Sequence, residues 1–169
     1  MAPPNSVTVE SSATADRTGW TPPRLAGSSI SNDLGFLLAK LHAAGSVLNN
    51  AALAQFGLKE RSYSVLALAG GDLEPSQREM AEFLSLDPSQ VVALIDELEQ
   101  RGLVKRTVGR TDRRHKLVAV TAKGRKVLVA ARQAAQEAEA TQLAMLAPQE
   151  VTALKAILGK AVWVPGSPA

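Results

Sequence analysis

The residues best suited to chemistry lie between Arg101 and Lys126. Lys or Arg stands at positions 101, 105, 106, 110, 113, 114, 116, 123, 125 and 126, and Asp112 is the one acid among them. Ten cations against one carboxylate give this stretch a formal charge of +9, whereas the other nine basic and fifteen acidic residues leave the remainder of the chain at −6. The overall charge of +3 hides that asymmetry. Positive charge concentrated on one short segment suits a polyphosphate backbone and attracts it before contact is made.

Other chemistries lack their parts. With no cysteine in the chain, disulfides, thiolate zinc sites and thiol redox sensing are excluded. Two histidines, His42 and His115, are too few for an all-protein transition-metal site. There is no glycine-rich phosphate loop, no Ser-His-Asp arrangement in a strand-turn-helix context and no His/Glu pattern on one helical face. The chain is therefore expected to be no enzyme and to carry no cofactor or metal. The N-terminus lacks a basic region followed by an apolar one, and no apolar run approaches about 20 residues. A cytoplasmic location away from membranes is the expectation.

The length, 169 residues with 46% apolar content, suits one domain with a real core, or a small domain with an added dimerisation region. Residues 1–29 are rich in Ser, Thr, Ala and Pro without periodicity, and read as a disordered tail in which Trp20 is the exception. From Ile30, Leu34, Leu37, Leu38, Leu41, Leu48 and Ala52 fall at helical spacing, which predicts a long first helix ending near Gly57. A second helix is expected from about Lys59 to Ala69, stopped by Gly70-Gly71.

Ser76-Gln77-Arg78-Glu79 matches a capping box and predicts a short helix over 77–84. After Ser85-Leu86, Asp87 is a good N-cap and Pro88 a good first helical residue, with Gln90 placed to complete a second box. Val91, Leu94, Ile95 and Leu98 share one face of this helix, and Gly102 supplies its left-handed stop. Leu103–Val108 and Lys116–Thr121 read as two strands, although the alternation of Leu117, Val118, Ala119 and Val120 leaves their buried side open. A long helix from Ala122 to about Met145 and another from Pro148, ended by Pro165, complete the chain. The fold class is thus mainly α with a small β-hairpin wing: a dimerisation helix over 30–57, a winged helix-turn-helix over 58–121, dimerisation helices over 122–163 and a tail over 164–169.

Three runs in this order resemble the MarR-type winged helix-turn-helix transcriptional regulators: Gln77-Arg78-Glu79-Met80-Ala81, Leu98 through Arg106, and Asp112-Arg113-Arg114, followed by Val120-Thr121-Ala122-Lys123-Gly124. The resemblance covers about Ile30 to Val162. It implies a homodimer, with long terminal helices that intertwine, bound to double-stranded DNA at a pseudo-palindromic operator whose half-sites lie about one helical turn apart. The helix over 88–101 would enter the major groove, with Ser89, Gln90, Val92 and Ala93 facing bases and backbone. In the wing, Asp112 would fix the guanidinium of Arg114 for the minor groove, while Arg110, Arg113 and Lys116 would meet phosphates.

One departure is visible. Where many relatives carry Arg or Lys, this helix has Ala93 and Glu97, and Asp96 and Glu99 add further negative charge. Affinity is then expected to lean on the wing and on the start of the long helix after it. The alternative is a winged-helix module that binds protein without specific DNA readout. Family resemblance also implies a small aromatic or phenolic effector between the dimerisation and DNA-binding parts, where His42 and Tyr63 are the polar residues to inspect.

Overall fold

The structure, a computed structural model, describes residues 23–108 and 116–163. Two compact units divide the chain, residues 1–38 and 39–169. In the first, Arg24–Gly27 and Ser29–Asn32 form two 3-10 turns, so residues 24–29 are not the structureless tail their composition suggests. Ser28 Oγ donates to Leu25 O (2.7 Å) and locks the turn locally, a side-chain bond that periodicity does not register. Trp20 and the rest of 1–22 lie outside the described residues. Asp33 Oδ1 accepts from the Phe36 N–H (3.1 Å) and caps helix α1, Leu34–Ala54.

The second unit carries α2 (Glu60–Ala69), α3 (Gln77–Leu84), α4 (Pro88–Gln100), strands β1 (Val104–Val108) and β2 (Lys116–Val120), α5 (Ala122–Gln142) and α6 (Pro148–Val162). It is mainly helical, with one antiparallel hairpin. Its core gathers Leu53, Leu58, Val65, Leu66, Met80, Val91, Ile95, Leu98, Leu103, Val104, Val118 and Leu128. Each such side chain contributes about 1.5–3 kcal/mol when taken out of water. The apolar face expected for α4 is the buried one, with Leu94 packed at its margin.

Local chemistry sets the helix ends. Ser76 Oγ accepts from the Glu79 N–H (3.2 Å) while Glu79 Oε2 accepts from the Ser76 N–H (2.7 Å), the reciprocal box expected. Ser85 takes the left-handed conformation (φ 50°) and turns the chain between α3 and α4. Asp87 Oδ1 accepts from the Ser89 N–H (2.7 Å), whereas Gln90 makes no return bond, so the second box is only half formed. Gly102, at φ +68°, ends α4.

Register decides the open question about the hairpin. Val104 pairs with Val120 and Arg106 with Val118, which directs the valines inward and leaves Lys105 exposed on the other face. The Val118 N–H donates to Pro75 O (2.9 Å), and Ser76 forms a bridge with Leu117, so the segment before α3 flanks the hairpin as a third strand position. At the junction with α5, Thr121 Oγ1 donates to Gly102 O (2.7 Å) and accepts from the Gly124 N–H (3.0 Å). Gly70 has an ordinary right-handed φ of −88°, and its lack of a side chain instead makes room for Leu128 Cδ2. Past α6, Trp163 stacks on Phe83 of α3 with ring centroids 5.3 Å apart and 16° between planes.

Candidate nucleic-acid interface

The outward side of α4 follows from its buried side. With Val91, Ile95 and Leu98 in the core, Ser89, Gln90, Val92, Ala93, Asp96 and Glu97 are exposed. The side chain of Gln90 is exposed and makes no hydrogen bond among the described residues. Ser89 is different: its N–H and its hydroxyl both donate to Asp87 Oδ1. Those bonds, the hydroxyl's first, hold the Asp87 carboxyl below the usual carboxylate range. The positive end of the α4 dipole is therefore already met by a carboxylate.

The acids of α4 do not stand free. Arg106 of β1 bonds Asp96 and Glu99 together, and Arg101 lies 3.6 Å from Glu97. Negative charge counted along the helix is thus offset in part by arginines four to ten residues on. The backbone N–H of Arg106 also donates to Glu99 Oε1 (2.9 Å). That bond is the main reason the Glu99 carboxyl sits below its ordinary range. Arg106, although burial opposes its charge, is raised by the hydrogen bonds it donates to Asp96 and Glu99.

The same pairing changes the count of available cations. Arg101 donates through Nη1 to Gly57 O (2.6 Å) and through Nη2 to Phe56 O (2.6 Å), while Lys123 Nζ donates to Arg101 O (2.7 Å). Arg101, Arg106 and Lys123 are structural ties. Lys105 and Lys116 on the hairpin and Lys126 on α5 are exposed and make no bond among the described residues. Arg110, Asp112, Arg113 and Arg114, the wing residues singled out from the sequence, lie outside the described residues.

A concavity of about 660 Å³ opens beneath α1 and α2 and is lined by His42, Ser46, Asn50, Lys59, Arg61 and Ser64, with Leu84–Leu86 and Leu94 on its far side. Ser46 Oγ donates to Glu60 Oε2 (2.7 Å) and the Glu60 N–H donates to Asn50 Oδ1 (2.9 Å), which ties its floor together. His42 belongs to this lining. Tyr63 does not: it is half-buried against the core. Sequence reasoning missed Ser46, Asn50, Lys59 and Arg61. Polar residues at 42, 46 and 50, one helical face interrupting an apolar helix, are the signal that could have found the first two.

Among the described residues no cluster of three or more metal-ligating side chains occurs, and no helix is long and apolar enough to cross a membrane. A model described as MarR family matches residues 56–115. A transcriptional regulator (MarR family) from Rhodococcus sp. RHA1 is 38% identical, the match covering 80% of this chain and 96% of that one at a TM-score of 0.76. CouR from Rhodococcus jostii RHA1, solved bound to p-coumaroyl-CoA, is 37% identical over 83% of this chain and 99% of its own, at a TM-score of 0.73. The transcriptional repressor CouR bound to a 23-mer DNA duplex is 27% identical over 84% of this chain and 99% of its own, at a TM-score of 0.74. No protein with a curated description matches. With that identity across nearly the whole of two regulators and the same helix-turn-helix and hairpin, the chain belongs to the MarR family of winged-helix transcriptional regulators.

Proposed function

We propose that this regulator is a homodimeric repressor that binds a pseudo-palindromic operator and releases it when a small aromatic effector binds. The observation that carries the reading is the exposed side of α4, where Ser89, Gln90, Val92 and Ala93 lie side by side at the N-terminal end of the helix. Helix-turn-helix proteins present that end to base edges in the major groove. Gln90 suits the paired donor and acceptor of an adenine edge, and Val92 or Ala93 a thymine methyl, contacts worth about 1–3 kcal/mol of discrimination. Lys116, Arg110 and Arg113 are assigned to phosphates, and Arg114, aimed by Asp112, to the minor groove.

Apolar side chains favour the dimer. On α1, Leu34, Leu37, Leu38, Val47 and Leu48 are exposed, as are Ile157 and Val162 on α6. Stripes of this kind on terminal helices are covered in a two-fold assembly. The cavity beneath α1 and α2 suits the effector: His42, Lys59 and Arg61 bring cationic or hydrogen-bonding groups to an anionic head, beside Leu84, Leu86 and Leu94 for an aromatic body. The crystal structure of CouR bound to p-coumaroyl-CoA favours an aromatic acid or its thioester.

Selection of bound fragments from random duplex DNA, followed by titration of the winner at two salt concentrations, tests the operator reading. The expected result is a two-fold symmetric motif with a steep loss of affinity as salt rises, because phosphate contacts release counterions. Arg114→Ala should then lose much of the affinity without changing the melting temperature, and Gln90→Ala should relax one base position. Undiminished binding by Arg114→Ala sinks the wing assignment. Absence of any enriched motif favours the protein-binding alternative.

A further inference from the structure

Arg106 stands on the inward side of β1, opposite the fully buried Val118, yet it carries a charge there. Its guanidinium reaches outward along the hairpin to α4, where Nη1 donates to Glu99 Oε2 and Nη2 to Asp96 Oδ1. Gln77 of α3, with its amide oxygen turned toward the guanidinium, accepts from Nε (2.9 Å) and Nη2 (3.0 Å). One side chain therefore joins α3, α4 and the wing strand.

The position of Asp96 gives that junction its meaning. It follows Val92 and Ala93 by four and three residues on a helix, so it shares their exposed face, and its side chain is half exposed. A free carboxylate there would meet DNA phosphates as a like charge, across a distance over which salt at about 0.1 M screens only partly. Glu99 lies toward the wing side of the same helix. A guanidinium spreads five donors over a fixed planar fork wide enough for two carboxylates and an amide, whereas an ammonium gathers three donors at one point.

We propose that Arg106 is a positioning residue for DNA binding: it fastens the wing strand to the recognition helix and cancels the carboxylate of Asp96 on the groove-facing side, without touching DNA itself. This assignment rests on the operator-binding function proposed above. It also explains how a helix with so many acids can face a polyanion. Arg106 cuts the formal charge of Asp96 and Glu99 from −2 to −1, and the residual charge lies at the wing-side edge.

Operator affinity and melting temperature of the full chain are measured for Arg106→Gln, for Arg106→Gln with Asp96→Asn, and for the triple variant that adds Glu99→Gln. Arg106→Gln should weaken operator binding about tenfold at low salt, with a difference that narrows as salt rises. Adding Asp96→Asn should recover most of that loss, which a packing role for Arg106 does not allow. The triple variant leaves no unpaired charge, so it remains folded even where Arg106→Gln does not, and it should bind close to the wild type. Failure of the triple variant to bind while folded overturns the proposal and makes Arg106 a direct contact. Wild-type affinity in Arg106→Gln overturns it alone, whereas a wild type that selects no duplex removes the operator reading together with it.

Discussion

The carbonyl oxygen of Leu103 occupies the space that a side chain on Gly124 would need: a Cβ built there would lie 1.9 Å from it. The last turn before the hairpin is thereby pressed into the first turn of α5, and the Thr121 N–H donates to the same oxygen (3.0 Å). Neither partner can yield, since both are backbone. Gly124→Ala should destabilise the protein by about 3 kcal/mol, as overpacking in a tight site does. In a chain of this size that is a fall of roughly 6–12 °C in melting temperature, read by calorimetry. A variant that melts within 2 °C of the wild type, roughly the effect of a neutral surface change, would contradict the tight junction.

Arg101 closes the loop between α1 and α2 from a distance of more than forty residues, by donating to the carbonyls of Phe56 and Gly57. Gly57 itself is left-handed at φ +62°. Arg101→Ala should cost about 2–4 kcal/mol, from two lost charge-assisted bonds and two carbonyls returned to water. Arg101→Lys should recover less than half, because an ammonium cannot span both oxygens. Urea unfolding of the three proteins measures this directly.

Glu99 makes stability depend on acid. Its folded-state pKa is depressed, so the stabilisation is fully present above the unfolded carboxylate value, about 4.3, and is lost as pH falls through the lower folded value. Wild type and Glu99→Gln should therefore differ most in melting temperature near neutral pH and converge only as pH falls below the depressed folded value. A difference that stays constant from pH 7 to pH 3 would show that the Arg106 backbone and guanidinium do not select the charged form.

Lys59 and Arg61 line the cavity beneath α1 and α2, a cavity whose lining includes none of Ser89, Gln90, Val92 and Ala93. Neutralising them should leave operator affinity within about twofold, while weakening an anionic effector by about tenfold per charge-assisted bond lost. Calorimetric titration of p-coumaroyl-CoA and p-coumarate into wild type, Lys59→Gln and Arg61→Gln distinguishes a site that holds the acid from one that holds the phosphates of the thioester. Equal affinity in all three proteins excludes this cavity as the effector site.

Local signals were legible where the cause was local. Ser76 with Glu79, Asp87 before Pro88, Gly102 after Arg101 and Thr121 before Ala122 each act within a few residues, and each marks the helix end that the sequence predicts. The elements between them followed from periodicity. What stayed hidden is long range. The acids of α4 look like an unfavourable surface until Arg106 is folded against them, and Arg101 reads as one more cation of a basic run until it is seen closing a loop. Gly70, read as a helix stop, owes its identity to Leu128 on another helix. Periodicity likewise cannot register the side-chain bonds that hold residues 24–32 in short turns, and Lys59 and Arg61 join His42 only through tertiary packing.

The start of α5 places Lys123, Arg125 and Lys126 within its first five residues, and no acid stands in its first turn. Lys123 and Arg125 donate to the carbonyls of Arg101 and Gly70, whereas Lys126 makes no such bond among the described residues and opposes the helix macrodipole by about 0.3–1 kcal/mol, so the unliganded protein holds this turn in an electrostatically frustrated state. Any polyanion laid across it removes the frustration. The protein should accordingly melt higher with non-cognate DNA or heparin than alone.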